Sequence, residues 1–430
     1  MKQRYQKISH ELAFLAVSKC LEDKWRRNDV LTYIEEWTGH SRYELYADEI
    51  KNHNLSFRIK YEIIQELAAS AEDMVDGITH GIDPDFDPVL TRLKADGASG
   101  KVRKIAYLCV RHQILGHIVH KGLEPLLTAR ILPTQHASIP ERGQTGLARQ
   151  VKRMLNRKLG IRYFVKTDCT GAYASVQYSV VMDLLRKEIP RAKWIFACMK
   201  VLEKYAPGGH LIIGGYLDAW LFNYVMSYAL RHVLSLKKSR RGNEIPLVIR
   251  AVTFMDDALL MGSAKASLIR AVKLLTEWLW ATFHIRLRTT ADVLEVNSIA
   301  EEKARKHERA SRRTVHMIDM GGYKISRGHI TIRRRNLPRI RRCFLRAWRE
   351  YQETGTLKRQ RACQIIARNG MLQCSNSFQF CQKYHVYQLL RVAKAVQAYW
   401  ARAEARRRKE RLSHVLRKHQ KQCDAICGHC

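Results

Sequence analysis

Apolar residues recur at three- and four-residue spacing over Glu11–Asp23, Asn28–Trp37 and Phe57–Asp76, the period of a helix that buries one face. Gly77 stands where a glycine commonly ends a helix, so residues 1 to about 80 are predicted to be a helical extension. The turn-rich stretch Ile82-Asp-Pro-Asp-Phe-Asp-Pro88 separates it from the rest of the chain. Ile105–Leu127 reads as a mostly buried helix, Leu147–Arg157 as a basic amphipathic one and Ala264–Phe283 as another. Glu295–Arg313 reads as a charged helical segment. Beyond Arg333 the periodicity predicts helices over Leu337–Tyr351, Lys358–Asn369 and from about Val386 to Lys421. Strands are fewer: Ile161–Thr167, with a helix running on to about Glu188, and Ile285–Thr289. Two further stretches have hairpin texture. Ser99-Gly-Lys-Val-Arg-Lys-Ile105 is a turn followed by alternating basic and apolar residues, with Lys101 and Arg103 on the polar face; Val248–Gly262 is two β-prone runs around a tight turn.

The second hairpin carries adjacent carboxylates, Asp256 and Asp257, where a turn usually prefers Asn-Gly or Asp-Gly. Two like charges there suit a divalent cation that offsets their repulsion; a solvated acidic turn is the plain alternative. Asp168 falls where a strand gives way to a helix, the place α/β sheets use for ligand chemistry, and helix-start N–H groups suit phosphate oxygens; an N-cap is its plain role. Three such carboxylates together suit two Mg²⁺ ions shared with substrate phosphates.

Charge changes the picture more than size does. The 430 residues hold 76 Lys and Arg against 40 Asp and Glu, a formal net charge of +36, which points to a polyanionic partner. From Ser326 onward there are 25 Lys and Arg against 5 Asp and Glu, interleaved with Trp348, Tyr351, Tyr384, Tyr387, Tyr399 and Trp400, a mixture that suits nucleic acid. Arg406, Arg407, Arg408 and Lys409 form the densest patch, read as contacts to structured RNA rather than a solvated face. His419, Cys423, Cys427 and Cys430 have the spacing and types for a Cys₃His zinc site. No apolar run is long enough for a bilayer, Leu12–Val17 is too short for a signal-peptide core, and eleven scattered cysteines fit a reducing compartment, so a cytoplasmic, membrane-free protein is expected.

In this order along the chain, the motifs resemble those of reverse transcriptases, over roughly residues 95 to 335. Val165-Lys-Thr-Asp-Cys-Thr-Gly-Ala-Tyr173 is similar to the first catalytic motif, and Phe254-Met-Asp-Asp257 to the aromatic-X-Asp-Asp box. Leu211–Asn223 resembles the loop and helix that handle template and nucleotide, Ser99–Ile105 the fingers hairpin, Gln135–Gln144 the following fingers loop, and Ile318-Asp-Met-Gly-Gly-Tyr323 the primer grip. Ile213 stands where many members have Gln, a departure similar to bacterial diversity-generating and defence-associated (unknown-group) members.

The resemblance implies an α+β right-hand polymerase: fingers over 81–160, a palm with an antiparallel sheet over 161–325, a basic helical thumb and tail over 326–430, and the helical extension over 1–80. It implies that Asp168, Asp256 and Asp257 are catalytic and hold two Mg²⁺, with the Cys169 carbonyl as a further ligand. Lys101, Arg103, Tyr173, Ile213 and Gly214 would contact the deoxynucleoside triphosphate, and Gly322 and Tyr323 the primer. Arg288 is placed near a proton donor to pyrophosphate. The implied activity is RNA-directed DNA synthesis on a structured non-coding RNA template, giving a DNA product, in antiphage defence or a related retroelement. Untemplated or protein-primed synthesis by the same site, a catalytically silent RNA-binding protein, and an oligomer or accessory protein are left open.

Overall fold

A computed structural model describes residues 4–95, 102–157, 159–288, 292–296 and 316–427. The fold class is α+β, as expected: long helices and four antiparallel sheets. By internal contacts the described residues fall into two compact units. One comprises those of Met1–Arg130, Tyr173–Phe222 and Arg402–Cys430; the other comprises those of Ile131–Ala172 and Asn223–Ala401.

The first unit opens with α1 (His10–Leu21), α2 (Asn28–Trp37), α3 (Arg42–Asn52) and α4 (Phe57–Thr79). Side-chain oxygens of Ser9, Ser41 and Ser56 cap α1, α3 and α4 by accepting from backbone N–H groups three residues on. Gly77 does not end α4. The helix runs on to Thr79, and the positive φ that turns the chain belongs to Gly81. The ribbon β1 (Leu90–Ala95) and β2 (Val102–Tyr107) comes after it, then α5 (Val110–Arg130). Ile105–Tyr107 thus completes a strand instead of beginning the helix, because its partners Leu90–Arg92 pair with it.

α6 (Gln144–Asn156) and β3 (Tyr163–Thr170) belong to the second unit. The single helix expected up to Glu188 is broken into α7 (Ala172–Ser175) and α8 (Tyr178–Glu188); between them Gln177 bridges to His210. α9 (Lys193–Tyr205) and α10 (Tyr216–Ser235) come next, then a small ribbon of β4 (Lys237–Arg240) and β5 (Asn243–Pro246). The principal sheet uses β6 (Arg250–Phe254), β7 (Asp257–Gly262), β3 and β8 (Arg286–Leu287) in the order β6-β7-β3-β8, with β9 (Leu294–Glu295) also pairing to β3. α11 (Lys265–Phe283) packs on β3, β7 and β8. A three-stranded sheet of β10 (Ile318–Met320), β11 (Tyr323–Ile325) and β12 (Ile330–Ile332) shares a core with α6 and the principal sheet, built from Leu147, Val151, Phe164, Val252, Leu259 and Ile318 among others.

Four more helices close the chain: Leu337–Thr354, Arg359–Cys374, Phe378–Lys383 and Val386–Cys427. The first three pack with the start of the fourth around Ile340, Phe344, Ala347, Ile365 and Leu389. The segment expected at Glu295–Arg313 lies largely outside the described residues. No helix among the described residues is long and apolar enough to cross a membrane.

Candidate active site

The β6–β7 hairpin is closed by two residues, since Phe254 pairs with Asp257 and only Met255 and Asp256 lie between. Such a turn needs positive φ at its first position, and Met255 supplies it at φ 54° without being Gly or Asn. That conformation costs on the order of 1 kcal/mol for a side chain with a Cβ, so the flanking ladder holds the turn against its own preference. On the other edge of β7, Asp168 stands directly opposite Asp257 in the antiparallel register. The Cys169 N–H donates to the Asp256 carbonyl at 3.0 Å, which ties β3 to the turn itself.

Like charges directly opposite one another on neighbouring strands destabilise a sheet. Two cations offset them here. Lys166 Nζ lies 2.9 Å from Asp257 Oδ1, and Arg288 Nε lies 3.3 Å from Asp168 Oδ1. Lys166 is two residues before Asp168 and so projects from the same face of β3. Arg288 is clipped to that strand by its backbone: its N–H donates to the Asp168 carbonyl at 2.9 Å, and its carbonyl accepts from Thr167 Oγ1 at 2.9 Å. Arg288, expected beside pyrophosphate, here makes an ion pair with Asp168. Cys169 is buried beside this group. Burial, and then the negative potential of Asp256, Asp168 and Asp257, pushes its thiol up to about 12.

The three carboxylates share one strand end but are not drawn into a closed cage: among the described residues no three His, Cys, Asp or Glu side chains form a metal-holding group. Lys166 and Arg288 occupy oxygens that a cation would take. The donor set, carboxylate only and without imidazole or thiolate, fits a hard, oxygen-seeking ion.

The residues expected at the nucleotide lie in the other unit. Arg103, on β2, is exposed and pairs in register with Lys94, again like charges face to face; Lys101 lies outside the described residues. Tyr173, at the start of α7, is half-buried and stacks on Phe222 with centroids 5.2 Å apart. Ile213 is 37% exposed, and its carbonyl accepts from Ala106 N–H at 2.8 Å, joining the loop to β2. Gly214 has φ +123°, and a Cβ there would stand 2.5 Å from the Ala106 carbonyl oxygen, so only glycine fits.

A buried carboxyl that the sequence did not single out holds this loop. Asp218 is 3% exposed; its Oδ1 accepts from Ile212 N–H at 2.9 Å and from the Tyr178 hydroxyl at 3.0 Å. A Cβ on Gly215 would overlap its Oδ2. Burial outweighs these donors and raises the Asp218 carboxyl to about 6. In sequence it reads as one acid in the first turn of a helix, with no signal that the helix start is covered. Asn223, also buried, donates to the Ala137 carbonyl at 3.0 Å and lies 3.7 Å from Met255 Sδ, backing the strained turn.

At the expected primer grip, Gly321 and Gly322 both have positive φ and make the two-residue turn between β10 and β11. Tyr323 departs from expectation: at 1% exposure its ring belongs to the core, and only its backbone is left to meet a primer. Of the basic patch, Arg406, Arg407 and Lys409 are exposed, but Arg408 is half-buried in an ion pair with Glu49. At the expected zinc set, the His419 ring stacks on Tyr43 at 3.6 Å, and Cys423 Sγ lies 3.6 Å from His419 Nε2. The Cys427 side chain and Cys430 lie outside the described residues.

Among curated proteins none matches this sequence. Many solved structures resemble it, among them two that do so loosely. The Sicinivirus 3Dpol RNA-dependent RNA polymerase has a TM-score of 0.33 and 14% identity over 51% of this chain, which spans about half (48%) of that polymerase. An apo telomerase from Candida tropicalis, truncated from its C-terminal domain, has a TM-score of 0.36 and 10% identity over 77% of this chain and 84% of its own. The family model that matches is described as reverse transcriptase (RNA-dependent DNA polymerase), and it covers residues 93–288, from the end of β1 to Arg288. It is with the reverse transcriptases that this central stretch is matched.

Proposed function

We propose that the protein is an RNA-directed DNA polymerase, adding deoxynucleotides to a primer end on a structured RNA template. One observation carries the reading: Asp168 stands in register opposite Asp257, with Asp256 in the strained two-residue turn beside them. Two Mg²⁺ ions held by these carboxylates would supply acidity to the primer 3′-hydroxyl and neutralise the leaving pyrophosphate. The chain's own residues do the rest. Lys166 and Arg288 offset the repulsion between the carboxylates side by side and give way to stronger cations. Lys94 and Arg103, facing each other on the exposed ribbon, are relieved of their repulsion by a triphosphate, which Arg grips with forked hydrogen bonds. The Tyr173 ring, braced on Phe222, leaves no room for a 2′-hydroxyl and selects deoxynucleotides.

Fingers, palm and thumb are assigned to 81–160, 161–325 and 326–430. A bacterial setting in antiphage defence or a related retroelement is supported by Ile213, the apolar residue shared with those groups. An apolar wall discriminates less sharply than a buried polar contact, so Ile213→Gln is expected to change the misincorporation spectrum several-fold. The reading is tested by primer extension with labelled deoxynucleotides on RNA and DNA templates. Wild type extends on RNA, and Asp256→Asn loses on the order of a thousandfold, the few kcal/mol a metal site supplies. Incorporation of ribonucleotides as readily as deoxynucleotides, or full activity in the Asp256→Asn variant, would overturn it.

A further inference from the structure

The first unit contains a strongly basic groove of its own. On the Val386–Cys427 helix, Arg402, Arg406 and Lys409 follow one another at four- and three-residue spacing and form one stripe. With Arg408, that stripe faces α3 and Arg26 across a cavity of about 350 Å³. Among the described residues the cavity's single acid is Glu49, only 7% exposed. Arg408 grips both its oxygens, Nε to Oε1 at 2.7 Å and Nη2 to Oε2 at 2.8 Å, while Arg26 Nη2 lies 2.8 Å from Oε1. Burial alone would raise the Glu49 carboxyl, but the two guanidiniums hold it below its ordinary value.

Five cations thus surround one carboxylate whose capacity two of them already use. Glu49 does not neutralise the groove. It orients the guanidiniums and joins α3 to a helix 359 residues further along the chain. Arg406 and Lys409, three residues apart on the helix face, repel each other, and an anion entering the cavity relieves that repulsion. Arginine forks match phosphate oxygens in shape as well as charge, and a chain of formal charge +36 draws polyanions to it.

We propose that the groove between α3 and the C-terminal helix anchors the phosphodiester backbone of a nucleic acid. The inference deepens the polymerase reading by naming a surface of the first unit that holds an RNA template or its DNA product, whereas the three carboxylates belong to the second. Phosphate contacts of this kind fix register and carry no sequence information.

The test is fluorescence anisotropy of the full-length protein with an RNA hairpin and a DNA hairpin of the same sequence, over a range of salt concentrations. Arg406→Glu with Lys409→Glu is expected to weaken binding about tenfold and to lower the salt slope by roughly one for each phosphate released from the groove. Arg58→Glu with Lys187→Glu, the same charge change on exposed residues elsewhere, should shift binding less than about threefold. If the reversed variant melts early, Arg406→Ala with Lys409→Ala provides the same comparison with less strain. Weakening on the RNA hairpin alone assigns the template strand, on DNA alone the product, and on both the shared backbone. The proposal is overturned if the groove variants bind like wild type, if the distant reversal costs as much, or if an acidic peptide displaces the hairpin as well as unlabelled hairpin does. Asp256→Asn should bind normally. A wild type that binds the hairpin but makes no DNA would sink the polymerase reading and leave the groove standing.

Discussion

The β6–β7 hairpin has β3 along its outer edge, every β7 residue after Asp257 is buried, and its turn is braced by Asn223 and by the Cys169 N–H. The β1–β2 hairpin is a two-stranded ribbon exposed along almost its whole length, with Leu90, Leu93 and Val102 in solvent. Both carry like charges face to face, Asp168 with Asp257 in one and Lys94 with Arg103 in the other. The first repulsion is contained by a rigid sheet and two internal cations. The second is left to a ribbon that two strands alone make marginal. Under the proposed function, carboxylates sharing an ion would need fixed geometry, whereas cations meeting a diffusing triphosphate would need only an anchor. That anchor is narrow: one Ala106–Ile213 hydrogen bond and the close fit of Gly214 on Ala106.

Breaking the anchor should have the largest effect. Gly214→Ala forces a Cβ into an unfavourable φ and onto the Ala106 carbonyl, at a combined cost on the order of 4 kcal/mol. Steady-state kinetics should show KM for the nucleotide rising more than tenfold while residual kcat changes less; an unchanged KM would mean the ribbon sits independently of the loop.

Next comes the clasp behind that loop. Because the Asp218 carboxyl is raised to about 6 from an ordinary value near 4, its ionisation works against the fold. Its contribution is fully present below about pH 4 and is lost as pH rises through 6, a swing of roughly 2–3 kcal/mol. Asp218→Asn cannot ionise, so melting curves from pH 4 to 7 should show its stability gaining on wild type across that window. A constant difference would place the titration elsewhere. Tyr178→Phe removes one donor to the carboxylate and should steepen the wild-type trend.

The smallest effect sharpens the other side of the comparison. Met255→Gly relieves the positive φ and should leave stability unchanged or raise it by about 1 kcal/mol. Extension activity should nevertheless fall, because the freed turn no longer fixes Asp256. Equal activity would show that the ladder alone positions the carboxylate.

The secondary elements that matter here were legible because their patterns are local. The β6–β7 hairpin, β3 and the helices around them show their period in the sequence, and α2 runs over the expected residues. α3 was not legible: in Arg-Tyr-Glu-Leu-Tyr-Ala-Asp-Glu-Ile-Lys-Asn only Leu45 and Glu49 are buried, too few for an apolar stripe. The break at Val176–Gln177 depends on pairing with His210, more than thirty residues away. Asp218 and the Glu49–Arg408 pair escaped for the same reason. Whether a charged residue is buried depends on what folds over it, and neither spacing nor composition carries that. Lys166 was within reach, because a strand places it on the face of Asp168 two residues on.

Cys169 has a consequence for which ions the site admits. A sulfur atom next to clustered carboxylates would ordinarily invite cadmium, mercury or zinc, which prefer thiolates to oxygen. Here the thiol keeps its proton to about pH 12, because burial and three neighbouring negative charges oppose its loss. A soft cation must therefore displace that proton before it can bind the sulfur, and electrophiles that seek thiolates find little to attack at neutral pH. The same negative charges that would attract a hard cation thus keep the thiol beside them protonated.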